Sequence, residues 1–534
     1  MNLAICQINP SLGDFKNNKE KILKYINRSN NLYSDIIIFP ELAICGYPPL
    51  DLIWEDGFIK ENNLALNEVA KASNIPTIIG CIRSENNAIY NSAAICFDGK
   101  LQKYCDKILL PTYDVFDEKR FFCSGKSPKV FTIPINGHLR KIGVQICEDL
   151  WDDDYNCKVS TLQKEMGAEL VINISASPYH ENKISERVQH VSLKAKQLRL
   201  PFIYCNMIGG QEELIFDGSS FAISKEGFLL SQARSFNEDL KIVNLDSNKK
   251  NIPSPMCREE EIFNALCLGV KDYFAKTGHK KTVLGLSGGI DSALVASIAV
   301  SALGKNNVCG ISLPSKFSSK HSLNDAETLA TNLGIEYRVI KIHSIISSFE
   351  TTLEPSFKKE NSNVAEENIQ SRVRGNLLMA LANKYGWLVL STGNKTELAL
   401  GYCTLYGDMI GALSVIADLS KNDVYALSKW INKHKQNCIP VNSLLKPPSA
   451  ELSPNQVDPF DYSIISPLVD EIIEKRKPLS VLINEGFEKS LVYDVHKKIK
   501  FNEYKRRQAP PGLRVSPKAF GIGRRLPIVN NFNG

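Results

Sequence analysis

Short, continuously apolar runs alternate with longer segments of helical periodicity along nearly the whole chain. A run that is apolar throughout reads as a strand covered on both faces, and the alternation implies a layered α/β architecture. In the first half, strands are expected over 3–8, 35–39, 77–81, 89–97, 141–146, 170–174, 202–206 and 220–223. Helices are expected over 17–31, 60–73, 159–166 and 184–198. The pattern breaks at NLDSNKKNIPSPM, which is polar, carries two prolines and has no apolar period. An ordinary surface loop has the same composition, but the motifs change type across it. The expected division is a domain over 1–245, a linker over 246–257 and a second domain over 258–534.

The second half opens with an amphipathic helix in which Ile262, Leu266, Val270 and Phe274 recur every four residues. The acidic run 259–261 before it suits a helix N-terminus and needs no further role. Strands over 282–286, 308–313, 337–340 and 387–391 then alternate with helices over 290–303, 324–333 and 368–384. That order implies a parallel sheet with right-handed crossovers, whose ligands bind at the carboxyl ends of the strands. The tail after Gln508, rich in Pro, Gly and Arg, is expected to lie over another surface.

Composition narrows the class. The 534 residues correspond to three or four average domains of ~150 residues, or to two larger ones. A net charge of +6 is too small for a nucleic-acid binder, which needs a concentrated basic stripe. No apolar run approaches the ~18 residues of a membrane span, and MNLAICQINP lacks the pattern of a secretory signal. Fourteen cysteines without a C-x-x-C pair read as reduced thiols of a cytoplasmic protein. The eight histidines show no metal-ligand spacing.

The strand over 282–286 runs into Ser287-Gly288-Gly289-Ile290-Asp291-Ser292 and then a helix. Two glycines permit a sharp turn, and successive N–H groups, the hydroxyls and the helix N-terminus make an anion cradle. Asp291 would repel a bare phosphate beside that cradle, which makes sense if Mg²⁺ lies between them. Such a turn can also be purely structural.

This motif resembles the pyrophosphate loop of the ATP pyrophosphatases. The segments N-I-Q-S-R-V-R-G-N (368–376) and S-T-G-N-K-T-E (391–397) resemble the NAD synthetase family in order and spacing. The resemblance implies that Ser287, Gly288, Gly289, Asp291, Ser292, Thr392, Lys421 and Ser449 bind ATP. It implies that Asn368, Arg372, Glu397 and Lys505 bind deamido-NAD, and that Asp291 and Glu397 hold Mg²⁺. For 505–507, a solvated basic helix end competes with substrate contact. Leu405 stands where ammonia-dependent members often carry Lys, and this departure looks like the glutamine-dependent branch.

In the first half Glu41, Lys107 and Cys147 stand at strand ends. A thiol needs a base to become a nucleophile, a carboxylate in a partly buried site can serve as one, and a lysine can stabilise an oxyanion. Each residue taken singly is more often core or surface than catalytic. In this order they resemble the triad of the nitrilase superfamily of carbon–nitrogen hydrolases, and F-P-E-L-A-I-C-G-Y, L-P-T-Y-D-V-F-D-E-K-R-F-F and N-I-S-A-S-P-Y-H-E-N-K resemble its glutaminase branch. The resemblance implies that Tyr113, Glu148, Ser177 and Lys183 bind glutamine. Glu118 either supports the triad or pairs with Arg120 or Lys119.

Together the resemblances imply an α/β protein, a nitrilase-like αββα sandwich followed by a Rossmann-like parallel-sheet domain. They imply a ligase that hydrolyses glutamine and uses the ammonia to amidate deamido-NAD through an adenylate, the last step of NAD formation. Its partners are expected to be ATP, deamido-NAD and L-glutamine, with no nucleic acid or membrane, in a homo-oligomer paired through the synthetase domain.

Overall fold

The structure, a computed structural model, describes residues 1–247, 251–357, 361, 363–435, 437–454 and 456–532. It divides into two compact units, Met1–Gln211 with Ile215–Pro255, and Glu212–Leu214 with Met256–Gly534. Of the stretch expected as a linker, 248–250 lie outside the described residues. Asn251 exchanges backbone hydrogen bonds with Leu230 and Gln232, on an edge strand of the first unit.

The first unit is built on two six-stranded sheets. One runs Asp239–Asn244, Asn2–Gln7, Ile36–Ile38, Thr77–Glu85, Ala88–Phe97, Lys100–Asp106 in spatial order. The other runs Leu229–Gln232, Phe221–Ile223, Phe202–Asn206, Leu170–Ser175, His138–Ile146, Val130–Ile135. Alternate residues of each strand point to opposite faces. Ile5, Ile38, Ile78 and Ile95 therefore meet Val144, Ile172 and Ile203 between the sheets. Ala4, Cys6, Ile37 and Phe39 meet Ile22, Ile26, Leu66 and Val69 of the helices Phe15–Asn31 and Phe58–Ala72. Val171, Phe202 and Phe221 meet Val191 and Ala195 of the helix Lys183–Leu198. The result is the expected αββα layering. The strand Lys100–Asp106 escapes the apolar-run criterion because it is an edge strand whose exposed positions are polar. Val130–Ile135, also at an edge, tolerates Pro134 where no inner strand would.

The second unit carries a five-stranded sheet in the order Glu336–Val339, Val308–Ser312, Thr282–Gly285, Leu388–Ser391, Leu413–Ser414, parallel throughout. Strand order reverses between Thr282–Gly285 and Leu388–Ser391, and the loops leaving those two strands face one crevice. The helix expected over 324–333 begins earlier, at Lys320, because the Ser319 hydroxyl caps it by accepting from the Ser322 N–H. The tail after Gln508 adds to the sheet edge: the Ser414 N–H donates to Pro511 and the Leu513 N–H to Ser414. Among the described residues no helix is long and apolar enough to cross a membrane.

Candidate active sites

In the first unit the parallel strands end on one side of each sheet, so side chains just past their carboxyl ends converge. Glu41 follows Ile36–Ile38, Lys107 follows Lys100–Asp106, Cys147 follows His138–Ile146 and Ser177 follows Leu170–Ser175. Glu41 and Lys107 are fully buried, with Lys107 Nζ 2.7 Å from Glu41 Oε1. Lys107 Nζ also lies 2.8 Å from Glu118 Oε1, and the Tyr47 hydroxyl donates to that oxygen at 2.9 Å. Glu118 is thus tied to Lys107, while Arg120 reaches Asp51. Glu41 receives two further hydrogen bonds, from Asn91 Nδ2 to Oε1 and from the Ala176 N–H to Oε2, both 2.7 Å.

Cys147 adopts φ +45°, a left-handed conformation for a non-glycine residue at a tight strand-to-turn elbow. Burial pushes its thiol well above the usual range, as does the charge of Glu41, while Lys107 acts in the opposite sense. Burial also opposes the charge on Lys107, but Glu118 and Glu41 outweigh it and hold the ammonium above the usual lysine range. Burial thus favours the neutral thiol, while the two carboxylates keep the neighbouring lysine charged. Asp149 stitches the elbow to the Lys107 loop by accepting from the Ile146, Ile108 and Leu109 N–H groups at 3.1, 2.9 and 2.8 Å. Burial raises its carboxyl to about 7 despite those bonds.

Of the residues expected around glutamine, Tyr113 is half exposed and donates to Glu148 at 3.0 Å, and Tyr155 donates to the same carboxylate at 2.9 Å. Lys183 lies over the Trp151 ring at 4.7 Å and 3.1 Å from Glu186. Burial, then Arg187, lowers its pKa. Ser177 is buried and its Oγ accepts from Arg187 Nε. Arg187 was not anticipated. It is fully buried, pairs with Asp217 at 2.7 Å, and donates to the Ser177 and Pro178 carbonyls at 2.8 and 3.0 Å. A signal existed: Arg187 falls on the apolar stripe Ile184, Val188, Val191, where a lone arginine is out of pattern.

In the second unit Ser287, Gly289, Asp291, Ser292, Thr392 and Ser449 line a cleft of about 990 Å³, with Glu397 and Lys421. An adjoining recess of about 1260 Å³ shares Ser287, Gly289, Thr392 and Ser449. Gly288 has φ +76°, and a Cβ there would meet the Ser322 carbonyl oxygen at 2.2 Å, so only glycine fits. Ser287 Oγ accepts from the Gly289 N–H and lies 3.2 Å from Ser292 Oγ, which closes the loop on itself. Lys421 Nζ stands 2.5 Å from Asp291 and 3.4 Å from Glu397. Burial, then Asp291, raises the Glu397 carboxyl to about 8.

Two carboxylates converging on one ammonium are a donor set that suits Mg²⁺, which binds through one or two carboxylates and takes its remaining ligands from phosphates and water. Among the described residues no group of three or more acidic, histidine or cysteine side chains is gathered to hold a metal. Asp291 and Glu397 are the two carboxylates that meet at that ammonium.

The other three residues expected on deamido-NAD share a different neighbour. Arg372 donates to the Leu405 carbonyl, Asn368 accepts from Thr404, and Lys505 donates to the Gly401 and Cys403 carbonyls. They converge on the loop 401–405. Lys505 is half-buried in these contacts, unlike a solvated helix end, whereas Arg507 is exposed. Arg374 was also missed. It lines the second recess, and burial lowers its pKa to about 10.

Comparison with known proteins follows the same division. Residues 2–250 match the carbon–nitrogen hydrolase family model and 262–509 the NAD synthase model. The glutamine-dependent NAD(+) synthetase of Synechocystis sp. is 43% identical, over 99% of both chains. That of Thermotoga maritima is 40% identical, over 100% of this chain and 99% of the relative. The solved glutamine-dependent NAD+ synthetase of Acinetobacter baumannii, in complex with ADP, superposes with a TM-score of 0.80 at 37% identity, covering 99% and 98% of the two chains. With both halves matched and full-length relatives this similar, the chain belongs to the glutamine-dependent NAD(+) synthetase family.

Proposed function

We propose that the chain converts deamido-NAD to NAD+ with ATP, taking nitrogen from L-glutamine and releasing glutamate, AMP and pyrophosphate. The observation that carries this reading is the presence, on one chain, of a buried Glu41–Lys107–Cys147 constellation and a cleft lined by Asp291, Glu397 and Lys421.

In the first unit Glu41 accepts the Cys147 proton as Sγ attacks the amide carbonyl of glutamine. The Lys107 ammonium stabilises the oxyanion. Glu41 returns the proton to the departing nitrogen, ammonia leaves, and water cleaves the thioester to glutamate and free thiol. The half-buried Lys183, the Ser177 hydroxyl and Tyr113 hold the amino-acid end, with Glu148 beside Tyr113. In the second unit the 287–292 loop binds ATP with Thr392, Lys421 and Ser449. The nicotinate carboxylate attacks the α-phosphate, and pyrophosphate departs. Mg²⁺, held by Asp291 and Glu397, would neutralise phosphate charge. Asn368, Arg372 and Lys505 brace the loop that meets deamido-NAD. Ammonia then displaces AMP; it must arrive unprotonated, since ammonium has no lone pair to attack with.

The fourteen unpaired thiols support a reducing, cytoplasmic setting. We further infer a homo-oligomer paired through the second unit. Light scattering should give a mass of two chains or more. The decisive assay mixes purified protein with ATP, Mg²⁺, deamido-NAD and glutamine and measures NAD+, AMP and glutamate together. Near-equal amounts are expected. Glutamate without NAD+ would mean that the second unit acts on another carboxylate.

A further inference from the structure

We propose that Asn394 is a positioning residue that sets the Asp291 and Glu397 carboxylates side by side for a divalent cation. The inference rests on the reading of those two acids as the magnesium ligands and adds to it the group that aligns them.

Asn394 is fully buried at the start of the short helix Lys395–Leu400, at the carboxyl end of Leu388–Ser391. Asp291 comes from the neighbouring strand end, more than a hundred residues earlier. Asn394 Nδ2 donates to Asp291 Oδ1 at 2.9 Å. Its Oδ1 accepts from the Glu397 N–H at 3.0 Å, and its own N–H donates to Glu397 Oε2 at 3.2 Å. Lys421 takes the opposite oxygens, Asp291 Oδ2 at 2.5 Å and Glu397 Oε1 at 3.4 Å. Each carboxylate thus has one oxygen on Asn394 and the other on Lys421.

The two clamps differ in kind. Lys421, buried as well, is a charged group on a four-carbon stem that can turn to phosphate when a cation replaces it between the acids. Asn394 is neutral, has two side-chain torsions and is packed out of solvent, so it stays. Two carboxylates this close repel, and without a bond between the strand ends each would take its own rotamer. An amide is the group the position requires, because it donates to one acid while accepting from the peptide of the other.

Asn394 also caps its helix, and the two roles can be separated. Serine keeps an oxygen for the Glu397 N–H but has no amide to reach Asp291. Threonine also caps and likewise lacks the amide, without adding charge. The test uses the full chain with α,β-methylene-ATP and follows Mn²⁺ binding by electron paramagnetic resonance, beside the KM for MgATP in ammonium-driven synthesis. Asn394→Ser and Asn394→Thr are each expected to weaken Mn²⁺ about tenfold or more, the usual effect of losing a group that orients a metal ligand. The KM should rise in parallel and the thermal midpoint should stay near that of the parent. Binding within twofold of the parent in Asn394→Ser overturns the proposal. If serine lowers the midpoint, Asn394→Thr decides by the same criterion. Asp291→Asn and Glu397→Gln separate the two failures. If they leave Mn²⁺ binding intact, the reading of the acids as ligands falls. If they weaken it while both Asn394 variants do not, only the role of Asn394 falls.

Discussion

Cys147, at the strand-to-turn elbow, and Arg187, buried against Asp217, each yield a prediction. Replacing Cys147 by alanine should abolish NAD+ formation from glutamine and leave synthesis from high ammonium near the parent rate. Both rates follow from one NAD+ assay with the nitrogen source exchanged. Loss of both would mean that the thiol serves the second unit as well. Arg187→Met strands Asp217 in the interior, which for a broken buried pair costs about 3–5 kcal/mol. It also frees the loop whose Ala176 N–H grips Glu41 and whose Ser177 hydroxyl accepts from Arg187 Nε. Glutaminase kcat/KM should fall at least tenfold while ammonium-driven synthesis persists, and Asp217→Asn should reproduce part of the loss. A glutaminase unchanged in Arg187→Met would confine that arginine to packing.

At the level of elements, both sites are built by strand ends. The first uses strand ends from two facing sheets, the second a switch point within one parallel sheet. A turn that leaves a strand and enters a helix within a few residues has little freedom. Gly288 shows the limit, since its φ of +76° and the nearby Ser322 carbonyl leave no room for a methyl group. Gly288→Ala should displace the loop and reduce kcat/KM for ATP at least tenfold, with glutamine hydrolysis retained. Steady-state kinetics on both half-reactions would check this, and a parent-like KM for ATP would mean the loop is not the phosphate cradle.

For the whole molecule, removing Mg²⁺ with a chelator should stop NAD+ formation from either nitrogen source and spare glutamate release, since the thiol chemistry uses only protein groups. Glutamate and NAD+ measured in the same sample would show the split. Much of this organisation was legible in the residues. Apolar runs marked the inner strands, because a strand covered on both faces must be apolar throughout. The 287–292 loop showed itself because tight turns next to phosphates demand glycine and hydroxyls in fixed order. Edge strands such as Lys100–Asp106 stayed hidden, since one solvated face mixes polar residues into the run. The roles of Asn91, Asp149, Arg187 and Asn394 stayed hidden for a different reason. Each acts through hydrogen bonds to residues far away in the chain: Asn91 to Glu41, Asp149 to Ile108, Arg187 to Asp217, Asn394 to Asp291. Sequence alone determined the layered α/β class, because periodicity is a short-range property, and the family resemblance of its motifs pointed to two kinds of chemistry and to candidate residues for each. Tertiary structure alone decided which buried polar groups hold those residues in place, because a hydrogen bond between distant strand ends leaves no pattern along the chain.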